Sequence, residues 1–86
     1  MDKYIVLFGR CIVEQLNVRS QPNKESNKIG YLSQNEKVQI LEETEEWIKI
    51  QYEEEQIGYV FAKFLSRQEE FLYAKTIEEI EEIKKK

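Results

Sequence analysis

The side chains that could carry out chemistry in this sequence are carboxylates, because its 86 residues include no histidine and only one cysteine. Seven glutamates lie in two short stretches, Glu42 to Glu46 and Glu53 to Glu55. Catalysis by carboxylates needs two of them facing each other in a cleft, and calcium loops need Asp and Gly at fixed offsets. Neither pattern is present, so we interpret these glutamates as a solvated acidic rim. We expect no enzyme, no catalytic residue, no metal site and no cofactor.

Trp47 is the candidate for recognition rather than catalysis. In the run EWIKIQY, alternation places Ile48, Ile50 and Tyr52 on one strand face and Trp47 on the other. A large ring off the core face either packs under a loop or lines a recognition groove, and the sequence leaves both open. The groove would lie between the long polar loop at residues 20–28 and the acidic turn at residues 42–46. Its candidate ligand-binding residues are Trp47, Tyr59, Tyr31, Arg19, Glu45 and Glu46. An acidic rim beside an aromatic floor favours a cationic or amine-bearing ligand.

Short β-strands must position these residues. Apolar residues at 47–52 and 57–61, joined by a polar connection, predict a hairpin, and Gly58 there suits a bulge or a close backbone approach. Further short strands are predicted at 4–8, 11–13, 16–19, 29–32 and 38–41, with Gly9-Arg10 as a break between the first two. Strands at this spacing with polar turns indicate a small antiparallel barrel. The predicted core comprises Cys11 or Val13, Leu16, Val18, Ile29, Leu32, Val38, Ile40, Ile48, Ile50, Val60 and one of Phe64 or Leu65.

The C-terminal residues have a different composition. Thr76 and Glu79 fit a helix capping box, and we predict a short helix over about 77–85. Its apolar stripe, Ile77, Ile80 and Ile83, either packs on the barrel or mediates binding to a partner or self-association. Residues 71–75 either extend this helix or form a strand beside residues 4–8.

Length and charge limit the partners. A chain of this length forms one small domain, and its net charge of −4 makes it a poor binder of nucleic acid. The N-terminal apolar run at residues 4–8 is shorter than a signal peptide or a membrane span, so no membrane partner is expected and the chain is cytoplasmic as written. The oligomeric state stays open, with a monomer slightly favoured.

Five motifs together resemble the bacterial SH3 domain family (SH3b) over roughly residues 9–66. They are LNVRSQP at 16–22, IGYL at 29–32, EKVQIL at 36–41, EEWIKIQY at 45–52 and IGYVFAKFL at 57–65. The resemblance implies a mainly β fold: a small antiparallel five-stranded SH3-like barrel, with residues 1–8 as an added N-terminal strand and residues 67–86 as an extension carrying the short C-terminal helix. It also implies a helical turn at residues 61–63. The chain departs from the family at Gln21 and in the distal hairpin, where glycine is common.

Such domains usually serve as binding or targeting modules. We therefore expect a non-catalytic module that binds a peptide, a protein or a cell-wall (peptidoglycan) ligand through a groove centred on Trp47. Polyproline binding is not implied, because Asn17, Arg19 and Phe61 stand where eukaryotic relatives use aromatic residues and proline. The alternative is a small scaffold or assembly component, phage-derived or intracellular, that acts through its C-terminal helix.

Overall fold

The computed structural model describes residues 2–74 of the chain, with side chains described for residues 5–70. It is mainly β. The elements are β1 (Asp2–Cys11), β2 (Gln15–Arg19), β3 (Lys28–Ser33), β4 (Lys37–Glu43), β5 (Trp47–Tyr52), β6 (Gln56–Phe61), a 3₁₀ turn (Ala62–Phe64) and β7 (Leu65–Ala74). The predicted helix at about 77–85, with Ile77, Ile80 and Ile83, lies outside the described residues. No helix of the described part is long and apolar enough to cross a membrane.

All seven strands join one antiparallel sheet in the order β3-β2-β6-β5-β4-β1-β7. Leu32 of β3 and Leu65 of β7 come from opposite ends of this order, yet both belong to one buried core. The sheet therefore curls around that core, and a register shift between Ile40 and Glu42 helps β4 to bend, as bulges do. The expected count of five barrel strands plus one N-terminal strand is wrong for the described residues.

The difference in strand count arises at the two ends of the chain. Gly9 does not break the first strand, since β1 runs through it and pairs with β7 at ten successive positions. A Cβ at Gly9 would lie 2.5 Å from the Ser66 carbonyl oxygen, so glycine there permits a close approach of the strands. Residues 71–74 form a strand beside the start of β1, which confirms one of the two alternatives and excludes a helix there.

The core agrees with the alternation of apolar residues except at Ile29. Cys11, Val18, Leu32, Ile50 and Val60 are the most deeply buried side chains. Ile29 is 45% exposed, because the β2–β3 register shifts between Val18 and Arg19 and breaks the alternation there. Tyr52 is an additional buried core residue, on the same face of β5 as Ile48 and Ile50.

The β5–β6 hairpin holds the two elements on which the candidate site depends. Its register runs without a shift from Tyr52 opposite Gln56 to Trp47 opposite Phe61. Gly58 therefore marks a close approach and not a bulge: a Cβ there would overlap Val18 Cγ1 of β2. The connecting turn places Glu53 and Glu54 at φ 43° and 66°, a left-handed conformation that glycine or asparagine adopts more readily.

Candidate functional site

An aromatic stack lies at one end of the β5–β6 hairpin. Trp47 begins β5 and Phe61 ends β6, and their ring centroids are 4.5 Å apart at an interplanar angle of 19°. The Phe64 ring of the 3₁₀ turn meets Phe61 edge-on at 6.2 Å. Trp47 is only 8% exposed, yet it lies outside the buried core cluster, on the opposite face of β5 from Ile48. The tryptophan is thus both covered by its neighbours and part of a surface site.

Backbone hydrogen bonds fix the stack in place. The Thr44 hydroxyl donates to the Trp47 carbonyl oxygen at 2.9 Å and accepts from the Trp47 amide at 3.1 Å. The Ala62 amide donates to the Glu46 carbonyl oxygen at 2.8 Å, which ties the 3₁₀ turn to the start of β5. Hydrogen bonds therefore fix the backbone at Trp47 and at Ala62, the residue that follows Phe61.

The stack separates two adjoining cavities, which together we name the aromatic groove. The first has a volume of about 300 Å³ and is lined by Val13, Gln15, Leu16, Asn17, Arg19, Trp47, Phe61 and Phe64. The second has a volume of about 350 Å³ and is lined by Pro22, Asn23, Lys24, Glu25, Glu46, Trp47 and Phe61. A smaller depression of about 270 Å³ beside the second adds Glu45 and Lys63 to the rim. The second cavity thus lies between the 20–27 loop and the turn that precedes Trp47, and the first extends along β2.

Internal hydrogen bonds shape the loop over residues 20–27. The Arg19 guanidinium donates to the Ser26 carbonyl oxygen at 2.9 Å. The Ser26 hydroxyl lies 2.9 Å from the Gln21 carbonyl oxygen and 2.8 Å from that of Asn23. The Ser20 amide donates to the Asn27 carbonyl oxygen at 2.9 Å and closes the loop at its base. Loops carried in this way on a rigid sheet are a common setting for recognition.

Both signs of charge surround the groove, because lysines accompany the glutamates on its rim. Lys24 Nζ lies 5.3 Å from the centroid of the Phe61 ring, and Lys63 Nζ lies 5.7 Å from that of Phe64. Glu45 and Glu46 stand on the turn across from the loop. Among the described residues these four make no salt bridge, so their charges are available to a ligand.

The structure brings together four of the six sequence-predicted site residues: Trp47, Arg19, Glu45 and Glu46. Tyr59 and Tyr31 do not line the aromatic groove. Tyr59 is half-buried between Lys49 and Arg19 on the outer face of the sheet, and Tyr31 is 55% exposed opposite Asn17 on β3.

Phe61, Phe64 and Lys24 line the groove although the sequence reasoning did not select them. A signal for Phe61 was present. If residues 53–55 form the turn, Tyr52 pairs with Gln56 in the antiparallel hairpin. Following the pairs one by one away from the turn then places Trp47 opposite Phe61.

Another depression lies at the far end of the hairpin, with a volume of about 360 Å³. Its lining includes Phe8, Lys37 and the buried Tyr52. Burial, reinforced by the nearby Glu53 carboxylate, raises the pKa of the Tyr52 hydroxyl above its usual value. The Lys37 ammonium lies 4.3 Å from the Phe8 ring centroid and hydrogen-bonds to Glu70, which lowers the pKa of that carboxyl. Lys37 is already paired with Glu70 within the chain, so we assign no site here.

Two observations bear on chemistry in the described part of the chain. No group of three or more His, Cys, Asp or Glu side chains there is arranged to hold a metal ion. The Cys11 side chain is fully buried, with its Sγ 3.1 Å from the Val13 carbonyl oxygen, as expected for a structural thiol.

A family model described as the bacterial SH3 domain matches residues 14–66. The matched segment contains every residue of the aromatic groove except Val13. A search of curated proteins finds no match to the chain.

Proposed function

Because the chain belongs to the bacterial SH3 domain family, whose domains are generally binding modules, we propose that it is a non-catalytic module that binds an extended peptide segment in the aromatic groove. The observation that carries this proposal is the Trp47–Phe61 stack between two polar loops. The peptide belongs either to a protein or to cell-wall peptidoglycan, since both present the same backbone chemistry.

The composition of the groove supports a peptide ligand. Trp47, Phe61 and Phe64 supply an apolar floor, and aromatic anchors of this kind dominate the energetics of many recognition surfaces. The side-chain amides of Gln15 and Asn17 line one end and offer donors and acceptors for a peptide backbone.

The charges around the groove support an orientation for the peptide. Among the described residues, Arg19 is the only charged one lining the first cavity, whereas Glu25 and Glu46 outnumber Lys24 in the second. An acidic group of the peptide is therefore favoured over the first cavity and a basic or amino group over the second. Tyr31 and Tyr59 lie outside the groove lining, so this geometry does not require them for binding.

Selection from a phage-displayed library of random peptides tests the proposal, with sedimentation on purified peptidoglycan as a parallel arm. We expect peptides to be enriched, or the protein to sediment, and Trp47→Ala to abolish that binding. Tyr31→Ala is the matched control, because it removes an aromatic ring that lies outside the groove and leaves the groove lining intact. The proposal fails if neither probe binds, or if Trp47→Ala binds as well as the unaltered chain.

A further inference from the structure

β7 forms one outer edge of the sheet. It is last in the strand order and pairs with β1 along its whole length. No strand of the described residues pairs with its other side. An unpaired strand of this length presents a row of backbone donors and acceptors that can accept another strand.

The hydrogen-bond pattern shows which β7 residues face that open edge. The Ile12 amide donates to the Phe64 carbonyl oxygen at 3.0 Å, in the same register as the β1–β7 pairs. Since hydrogen-bonded pairs alternate along antiparallel strands, Ser66, Gln68 and Glu70 direct their backbone groups toward β1. Arg67 and Glu69 therefore direct theirs outward.

The side chains of these two outward residues are exposed and opposite in charge. Arg67 is 47% exposed and Glu69 is 45% exposed. Within the chain, Arg67 donates to Glu43 of β4 at 2.7 Å and lies 3.5 Å from Glu69, so pairing between two copies exchanges this Glu69 contact for Glu69 of the other copy. The edge thus presents one positive and one negative residue at alternate positions.

We propose that this edge is an interface at which two copies of the chain pair β7 to β7 in antiparallel orientation. In the register centred on Gln68, Arg67 of each copy lies opposite Glu69 of the other. Both of these are hydrogen-bonding positions on the outward edge, so backbone pairing and charge pairing coincide. Opposite charges directly across antiparallel strands are stabilising.

Charge also selects this register over its neighbours. Because only outward-facing residues can pair, the strands must slip in steps that preserve the alternation. One such slip places Glu69 opposite Glu69, and the slip in the other direction places Arg67 opposite Arg67. Like charges directly opposite are destabilising, so the sequence of β7 favours one self-complementary arrangement.

Charge-reversal variants of the full chain, studied by sedimentation velocity across a wide concentration range, test this interface. The unaltered chain should show concentration-dependent dimerisation. Arg67→Glu alone and Glu69→Arg alone should each remain monomeric, because all four facing charges then have the same sign. An equimolar mixture of the two variants should form a heterodimer, since every facing pair is again opposite in charge.

Two controls separate the interface from effects on folding. Glu43→Gln removes the charge of one of the two carboxylates that contact Arg67 within the chain but leaves Arg67 and Glu69 unchanged, so this variant should dimerise normally. Circular dichroism should show the same β content in all variants, and recovery of the heterodimer on mixing also demonstrates that both variants fold. The proposal is overturned if the unaltered chain is a monomer at every concentration, if either reversal still dimerises, or if the mixture does not associate. It does not depend on the aromatic groove, whose variants should leave dimerisation unchanged.

Discussion

Trp47 combines a structural contact with a surface position. Its indole stacks on Phe61, and Thr44 holds its backbone through three hydrogen bonds. It nevertheless lies on the opposite face of β5 from the core residues Ile48 and Ile50. The two interpretations left open by the sequence are therefore not exclusive, because the ring is covered on one side and lines a groove on the other.

A double-mutant cycle between Trp47→Ala and Phe61→Ala measures the stack. We expect Trp47→Ala to lower the free energy of unfolding by about 2 kcal/mol, less than the ~3–5 kcal/mol typical of a tryptophan removed from a core. The coupling between the two sites should be about 0.5–1.5 kcal/mol, as for other aromatic pairs. Chemical denaturation monitored by circular dichroism gives both values. A loss above about 4 kcal/mol for Trp47→Ala would show that the ring is a core residue and that its variants cannot report binding alone.

The β5–β6 hairpin is the element that sets the site, because its register places Trp47 opposite Phe61. Its turn uses three glutamates where two left-handed positions, Glu53 and Glu54, are required. A left-handed conformation costs most residues roughly 1–2 kcal/mol. The fold thus requires a backbone conformation that glutamate disfavours, in the region where the family commonly has glycine.

Replacing Glu54 with glycine should stabilise the chain. Its φ of 66° is strained for glutamate and free of strain for glycine, so we expect the free energy of unfolding to rise by about 1 kcal/mol. Glu55→Gly is the control: it removes the same charge at a residue whose φ is not positive, and it should be neutral or destabilising. Thermal and chemical denaturation of the two variants give the comparison. Equal effects from both would mean that charge, and not backbone conformation, dominates in this turn.

Gly58 controls how closely β6 approaches β2. A methyl group there would overlap Val18 Cγ1 and lie 3.2 Å from the Arg19 carbonyl oxygen. Gly58→Ala should therefore lower the free energy of unfolding by about 1–3 kcal/mol. In a Val18→Ala background the added methyl fills the space left by the valine, so the same substitution should cost less. If Gly58→Ala lowers the free energy of unfolding as much in the Val18→Ala background as in the unaltered chain, the clash is with the Arg19 carbonyl oxygen and not with Val18.

For the molecule as a whole, the five motifs indicated the family, and alternation of apolar residues predicted the mainly β fold and most of the core. It did not predict the long β1–β7 pairing, because Gly9 carries the usual signal of a break and its close contact with Ser66 comes from a residue far along the chain. Likewise Ile29 is exposed because of a register shift that local pattern does not encode.

The site was predictable only in part, for the same reason. Trp47 could be identified because alternation places it on the opposite strand face from the core residues Ile48 and Ile50. The two loops could be identified from their polar composition. Lys24 and Phe64 reach the groove through loop conformation and the 3₁₀ turn, which depend on tertiary contacts. Of the positive charges at the groove, Arg19 was selected from the sequence, whereas Lys24 and Lys63 were identified only from the structure.

The central claim is that a ligand binds in the aromatic groove, and the fluorescence of Trp47 tests it most directly because the chain has a single tryptophan. A peptide obtained by library selection is titrated into the unaltered chain while tryptophan emission and heat of binding are followed in parallel. The account predicts a saturable change in emission whose midpoint matches the calorimetric affinity. Saturable heat of binding without any change in Trp47 emission would place the ligand elsewhere and contradict the account.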